Sequence, residues 1–167
     1  MIMEAASAMI HPSVSCRLRF AKCNEWEAGM TFVWKAFLDS EGRKCPEEGK
    51  QKFWTFIQSD KLRKSFLEGK CVVIVAENEG SIIGLACITH YNRLSLLFIE
   101  ESYRGKGIGS ALMTVVIRIL REKGEQYIAL QSISGAVRFY RKFGFRRIRP
   151  AEEFSGIRVT CMEKFLE

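Results

Sequence analysis

Apolar and polar positions change rhythm twice along this chain. Arg17 to Ala21 (RLRFA) alternates charged with apolar residues, the period-two pattern of a strand with one buried face. The next forty-odd residues switch to helical spacing. Met30, Val33, Trp34 and Phe37 place one apolar face on a helix over Trp26 to Leu38. Phe53, Trp54 and Ile57 do the same over Glu47 to Ile57, which follows Pro46, a residue suited to a helix start because its missing N–H costs little there. A third short helix is expected over Asp60 to Leu67, capped by Ser59 or Asp60.

From Cys71 the rhythm changes again. Cys71 to Ala76 (CVVIVA) is a β-branched run, Glu77-Asn78-Glu79-Gly80 is turn chemistry, and Ser81 to Thr89 (SIIGLACIT) is a second apolar run, so the pair reads as an antiparallel hairpin. Leu94 to Ile99 (LSLLFI) adds a third strand. Near-continuous apolarity in these runs requires cover on both faces of the sheet. Beyond a glycine-rich stretch, Ile108, Ala111, Leu112, Val115, Val116 and Ile119 recur at three- and four-residue steps, which predicts an amphipathic helix ending near Gly124. Tyr127 to Leu130 reads as a strand, Ser134 to Phe143 as a helix closed by Gly144, and Phe145 to Ile148 and Arg158 to Phe165 as strands. The order implies one α+β domain over 16–167, preceded by an extension over 1–15 expected to be flexible.

Composition narrows the class. The 167 residues are 47% hydrophobic and 27% charged, enough apolar material for one core and without the low-complexity tracts of disorder. No run approaches the roughly 18 to 20 apolar residues of a membrane span. The first fifteen residues lack the basic start of a secretory signal, with Glu4 in its place. Six cysteines are scattered without a CxxC pair, and Cys71 and Cys87 fall in or beside apolar strand-like runs. That suits reduced thiols of a cytoplasmic protein better than a disulfide framework or a zinc site, and no metal is expected. The formal charge is +7, and Arg138 to Arg149 contains six basic residues and no acidic one. Such a patch suits an anionic ligand, nucleic acid or water alone.

Candidate chemistry centres on Arg104-Gly105-Lys106-Gly107-Ile108-Gly109-Ser110, between the strand ending at Ile99 and the amphipathic helix. A helix's first turn offers unpaired N–H groups and a favourable dipole to a phosphate, and glycines clear the approach. A Walker loop needs GxxxxGK followed by Ser or Thr, which no segment supplies. A Rossmann fingerprint needs GxGxxG, whose third glycine is Ser110 here, and no acidic residue lies on Tyr127 to Leu130 to take a ribose.

Arg104-x-x-Gly107-x-Gly109, placed after a strand and opening a helix, resembles the coenzyme-A pyrophosphate loop of the GNAT superfamily of N-acetyltransferases. Ala136-Val137-Arg138-Phe139-Tyr140-Arg141-Lys142-Phe143-Gly144-Phe145 is similar to that superfamily's Ala-x-x-Phe-Tyr-x-x-x-Gly-Phe segment. The resemblance covers about Arg17 to Phe165. It implies a GNAT-like, mainly antiparallel central sheet of six or seven strands flanked by helices, and transfer of an acetyl or other short acyl group from coenzyme A to an amine, directly, in a ternary complex.

The resemblance also implies roles. Backbone amides of Arg104, Gly105, Lys106, Gly107, Ile108, Gly109 and Ser110 would hold the pyrophosphate. Leu97, Phe98 and Ile99 would pair their backbone with the pantetheine arm, and a free N–H near Phe98 or Ile99 would polarise the thioester carbonyl. Tyr140 would protonate the departing thiolate, and Glu100 would take a proton from the ammonium through water; Glu101 and, more weakly, His90 are further candidates. Many members carry an Asn before the tyrosine helix, where Gln131 or Ser132 would substitute. Arg141 or Lys142 would reach the 3′-phosphate. The acceptor, a small-molecule amine or a peptide or protein amine, is not readable from sequence, and Trp26, Trp34, Phe53 and Trp54 are expected mainly in the core. A non-catalytic acyl-coenzyme-A-binding module is the alternative, and a nucleic-acid-binding protein is less favoured because Phe139, Phe143 and Phe145 fall at core spacings. Sheet edges near the C-terminus leave room for a homodimer.

Overall fold

The structure, a computed structural model, describes residues 9–11 and 14–167. Of the expected N-terminal extension, 1–8, 12 and 13 lie outside the described residues. The rest forms a small antiparallel hairpin of β1 (Met9–His11) and β2 (Val14–Ser15), and Val14 is buried in the core.

One sheet organises the molecule. Its strands are β3 (Arg17–Phe20), β4 (Val72–Asn78), β5 (Ser81–Thr89), β6 (Arg93–Ile99), β7 (Tyr127–Ile133), β8 (Arg146–Arg147), β9 (Glu152–Phe154) and β10 (Ile157–Phe165). They lie in the order β3-β4-β5-β6-β7-β10-β8, with β9 also paired to β10. All pairs are antiparallel except β6 with β7. The mixed, mainly antiparallel sheet is thus the expected one, with the short β8 and β9 bringing it to eight strands.

Helices cover both faces, as the apolar runs require. Helices α1 (Trp26–Leu38), α2 (Glu47–Ile57) and α3 (Asp60–Leu67) have their expected bounds, and Ser59 caps α3 by accepting the Leu62 N–H at 3.3 Å. Trp26, Met30, Val33, Ile57 and Leu62 pack with Val73, Val75, Leu85 and Cys87 on one face. On the other, α4 (Ile108–Glu122) buries Ile108, Leu112, Val116 and Leu120 against Ile74, Ala86 and Ile128. Beyond α4, Gly124 (φ 77°) turns the chain into the left-handed region while the Glu125 N–H bonds the Leu120 carbonyl.

Differences from the sequence reading have local causes. Strand β7 runs three residues past Leu130, because β10 pairs it as far as Ile133↔Val159. The helix expected over Ser134 to Phe143 divides into a 3-10 turn at Ser134–Ala136 and α5 (Val137–Lys142), since Ser134-Gly135 is poor helix material. The strand expected over Phe145 to Ile148 narrows to Arg146–Arg147, ahead of Pro150, which has no N–H to donate. Of the four aromatics assigned mainly to the core, Trp26 is buried, Trp34 and Phe53 are partly buried, and Trp54 is exposed on α2.

Candidate active site

Strands β6 and β7 part company after one step. Their parallel pairing comprises Arg93↔Ala129 and Leu94↔Leu130 and goes no further. The cause lies in β6, where Ile88 faces Leu94 and Cys87 faces Leu96, leaving Ser95 as an extra residue with no partner of its own on β5. A bulge of this kind bends the strand and strengthens its twist. From Leu96 to Ile99, β6 remains paired with β5 on one side, and from Ser95 onward it has no described partner strand on the other. A wedge-shaped cleft results, with its apex at Ser95 and its mouth beyond Ile99. Leu97, Phe98 and Ile99, all half-buried, line one edge, and the alternation of the ladder turns the N–H groups of Leu97 and Ile99 away from β5.

The glycine-rich loop stands at the mouth. Gly105 (φ 72°) and Gly107 (φ 85°) are left-handed, a conformation that would cost other residues about 1–2 kcal/mol each. Gly107 precedes α4 without any side-chain cap, the helix has no acidic residue in its first turn, and its first internal bond runs from the Ala111 N–H to the Gly107 carbonyl at 3.0 Å. The N–H groups of Ile108, Gly109 and Ser110 therefore converge on the mouth uncapped, although the Ile108 side chain is core. Arg104 lies exposed, its Nε donating to the Ile99 carbonyl at 3.2 Å, and Lys106 Nζ stands 5.4 Å over the Tyr103 ring. Asn78 fixes the loop from below, accepting the Tyr103 hydroxyl at 3.3 Å and donating to the Ser15 carbonyl. An uncapped positive helix end, two left-handed glycines and adjacent cations suit a pyrophosphate; the open strand edge suits an extended amide chain.

Helix α5 closes the cleft from the other side. A Cβ on Gly109 would stand 3.6 Å from the Phe139 ring, so α5 lies over the first turn of α4. Tyr140 is 8% exposed and wedged between Phe139 and Phe145, with ring centroids 5.2 and 5.7 Å away. Burial pushes its phenol up to about 12, so the hydroxyl stays protonated throughout the physiological range. Gly144 (φ 86°) ends the helix and lets the Phe145 N–H return to the Tyr140 carbonyl at 3.2 Å.

Other expected residues occupy different places. Glu100 is half-buried at the mouth, where its carboxylate accepts from Ser102 at 3.2 Å. Glu101 pairs with Arg43 at 3.0 Å, linking the turn between α1 and α2 to the mouth. His90 lies at the far end of β5, beyond the apex. Ser132 is buried and donates to the Ile133 carbonyl, whereas Gln131 is exposed on β7. Arg138, Arg141, Lys142, Arg146 and Arg147 are exposed, and Arg149 pairs with Glu152 at 3.1 Å. Sequence reasoning passed over Ser95 and its contacts; the one polar residue inside the LSLLFI run was the available signal. Two open concavities lie away from the cleft, one beside Trp34, Lys50 and Trp54, the other beside His90, Tyr91 and Tyr127.

Known proteins resemble this chain in sequence and in fold. A model of the acetyltransferase (GNAT) domain matches residues 41–166. A Bacillus subtilis (strain 168) protein provisionally named an acetyltransferase is 30% identical over 101 residues, 59% of this chain and 69% of its own. The glucosamine 6-phosphate N-acetyltransferase of Trypanosoma brucei brucei is 42% identical over 48 residues, 29% of this chain and 33% of that protein. Among solved structures, the PaiA N-acetyltransferase of Thermoplasma acidophilum, determined in complex with coenzyme A, superimposes with a TM-score of 0.74 at 20% identity, covering 91% of this chain and 99% of that one. A GCN5-related N-acetyltransferase from Rhodopseudomonas palustris gives 0.73 at 18% identity, covering 95% and 99%. With its splayed strands, its uncapped glycine loop and a domain model matched over most of its length, this chain belongs to the GNAT acetyltransferase family.

Proposed function

We propose that the protein transfers an acetyl group, or another short acyl group, from coenzyme A to an amine by direct attack within a ternary complex. The observation that carries this reading is the wedge between β6 and β7, open from Ser95 to Ile99 with an uncapped helix start at its mouth. Amides of Arg104 to Ser110 hold the pyrophosphate, and the β6 edge at Leu97 to Ile99 pairs with the pantetheine arm. The thioester then lies toward the apex. Gln131, exposed and held only by a long 3.9 Å contact to Cys161 Sγ, takes the role of the family's usual Asn, since Ser132 is buried and bonded at 2.9 Å. Arg141 and Lys142 attract the 3′-phosphate.

Three groups of this chain do chemical work in the proposal. Glu100, at the mouth, accepts through water the proton that an incoming ammonium must lose before it can attack. A backbone N–H on the open edge of β6 steadies the negative charge that develops on the carbonyl oxygen. Tyr140, neutral and sheltered, donates its proton to the departing thiolate. The acceptor enters past Phe53 and Phe98, whose ring centroids lie 5.7 Å apart on the α2 side of the cleft.

A panel of small amines, polyamines, amino sugars and peptides, screened for thiol release from acetyl-coenzyme A, tests the reading. Release that depends on one amine class, with mass-verified acylation of that amine, is the expected result. Tight cofactor binding with no release toward any amine or water would identify a non-catalytic module instead.

A further inference from the structure

The bulge that opens the cleft also carries a chain of hydroxyls. Ser95 Oγ lies 2.6 Å from Thr89 Oγ1, and Thr89 Oγ1 lies 3.2 Å from His90 Nδ1. Thr89 is 3% exposed, whereas Ser95 is half-buried at the apex and His90 is exposed at the far end of β5. Two consecutive non-glycine residues, His90 (φ 46°) and Tyr91 (φ 68°), hold that turn in the left-handed region. Each costs about 1–2 kcal/mol, and strain of this kind persists where surrounding structure or function requires it.

We propose that Ser95, Thr89 and His90 form a proton relay from the apex of the cleft to solvent. The inference rests on the acyl-transfer reading above. An ammonium loses two protons on its way to an amide: one before attack, assigned to Glu100 and water at the mouth, and one after the C–N bond forms. The second proton leaves a nitrogen fixed at the apex, beside Ser95. As it passes to Ser95 Oγ, the Ser95 hydroxyl proton passes to Thr89 Oγ1 and the Thr89 proton to His90 Nδ1. The imidazole, starting with its proton on Nε2, becomes imidazolium and releases the Nε2 proton to water. The C–S bond breaks, Tyr140 protonates the thiolate, and the tyrosinate left behind takes a proton back from water. Each hydroxyl ends with one proton, and only the acceptor nitrogen has lost one to solvent.

A threonine is needed in the middle because a buried link must accept and donate through one atom, and histidine is the side chain suited to exchange protons with water near neutrality. The groups around the imidazole are Tyr91 next in the chain, Glu125 and Tyr127 across the adjoining concavity, and Arg93, which pairs with Thr89 on β6. Lys70 stands near Tyr91.

The test compares wild type with Ser95→Ala, Thr89→Val, Thr89→Ser, His90→Gln and His90→Ala, using the fastest amine of the panel or, failing any, water as the acyl acceptor, since water must also lose a proton. Thr89→Val and His90→Gln should lower kcat by about 10²-fold at neutral pH, the low end of general-base contributions, and shift the acidic limb of the kcat profile. Acetyl-coenzyme A affinity should be unchanged. Thr89→Ser should restore the rate, and added imidazole should rescue His90→Ala but not Thr89→Val, whose break is buried. Variants that bind the cofactor normally and keep the wild-type rate and pH profile would overturn the relay. A lower rate in Thr89→Val that Thr89→Ser does not restore would also overturn it. Wild-type protein that fails to bind acetyl-coenzyme A, or to release thiol at all, would overturn the acyl-transfer reading beneath it.

Discussion

Replacing Gly109 by alanine should raise the stability of the fold and weaken its cofactor site together. Gly109 is the second residue of α4. A methyl group there would meet Phe139 Cε2 and Cζ at 3.6 Å and Ile99 Cγ1 at 3.8 Å, ordinary contact distances that need no rearrangement. Alanine in a helix is favoured over glycine by up to about 1 kcal/mol, which for a chain of this size raises the melting temperature by roughly 2–4 °C. The same methyl lies between Ile99 at the end of β6 and Phe139 of α5, on the turn whose amides are assigned to the pyrophosphate. Loss of one hydrogen bond to a charged group costs about 1.5–3 kcal/mol, or roughly ten- to a hundredfold in affinity. Calorimetric melting and titration with acetyl-coenzyme A on the same preparation separate the two effects. Unchanged affinity in a protein that melts at or above the wild-type temperature would refute the placement of the pyrophosphate on the first turn of α4.

Tyr140→Phe removes only a hydroxyl, so acetyl-coenzyme A should bind as before while kcat falls by about 10²-fold, the low end of general-acid contributions. Because burial holds the phenol at about 12, any alkaline loss of wild-type activity below pH 10 should persist unchanged in that variant. Glu25 gives a prediction in stability. Its carboxylate chelates Arg19 at 2.8 Å while Glu77 binds the same guanidinium at 2.6 Å, and the Glu25 side chain is 20% exposed. Hydrogen bonding to Arg19 holds Glu25 at about 2 rather than 4.5. A folded-state value below the unfolded one stabilises the fold above the unfolded value, by about 1 kcal/mol once solvent screening of the pair is included, and that stability drains as pH falls from 4.5 toward 2. Urea midpoints of Glu25→Gln should lie below wild type at pH 7 and converge with it near pH 2.

Much of this fold was legible because each element agrees with its own pattern. The helices over Trp26–Leu38, Glu47–Ile57 and Asp60–Leu67, and the strand over Ser81–Thr89, follow apolar spacing bounded by turn residues. Strand β9 could not be read that way: Glu152, Glu153 and Phe154 are all exposed, and only backbone pairing with β10 makes them a strand. The loop at Arg104 to Ser110 and the segment around Tyr140 announced themselves through glycine placement and residue type. The open edge at Leu97 to Ile99 was expected only through the resemblance, because the cleft that joins them depends on one residue of register. Ser95 becomes a bulge only when Leu94 and Leu96 pair with consecutive residues of β5, and no local propensity records that choice. The Ser95, Thr89 and His90 contacts follow from the same register.

Amide spectra of the 15N-labelled protein during titration with acetyl-coenzyme A test the central claim most directly. Binding along the wedge predicts saturable shifts, with slowed hydrogen exchange, in two separate stretches: Leu97 to Ile99 on the open edge of β6, and Gly105 to Ser110 at the start of α4. Saturable binding that leaves both stretches unshifted, or that moves residues elsewhere instead, would contradict it.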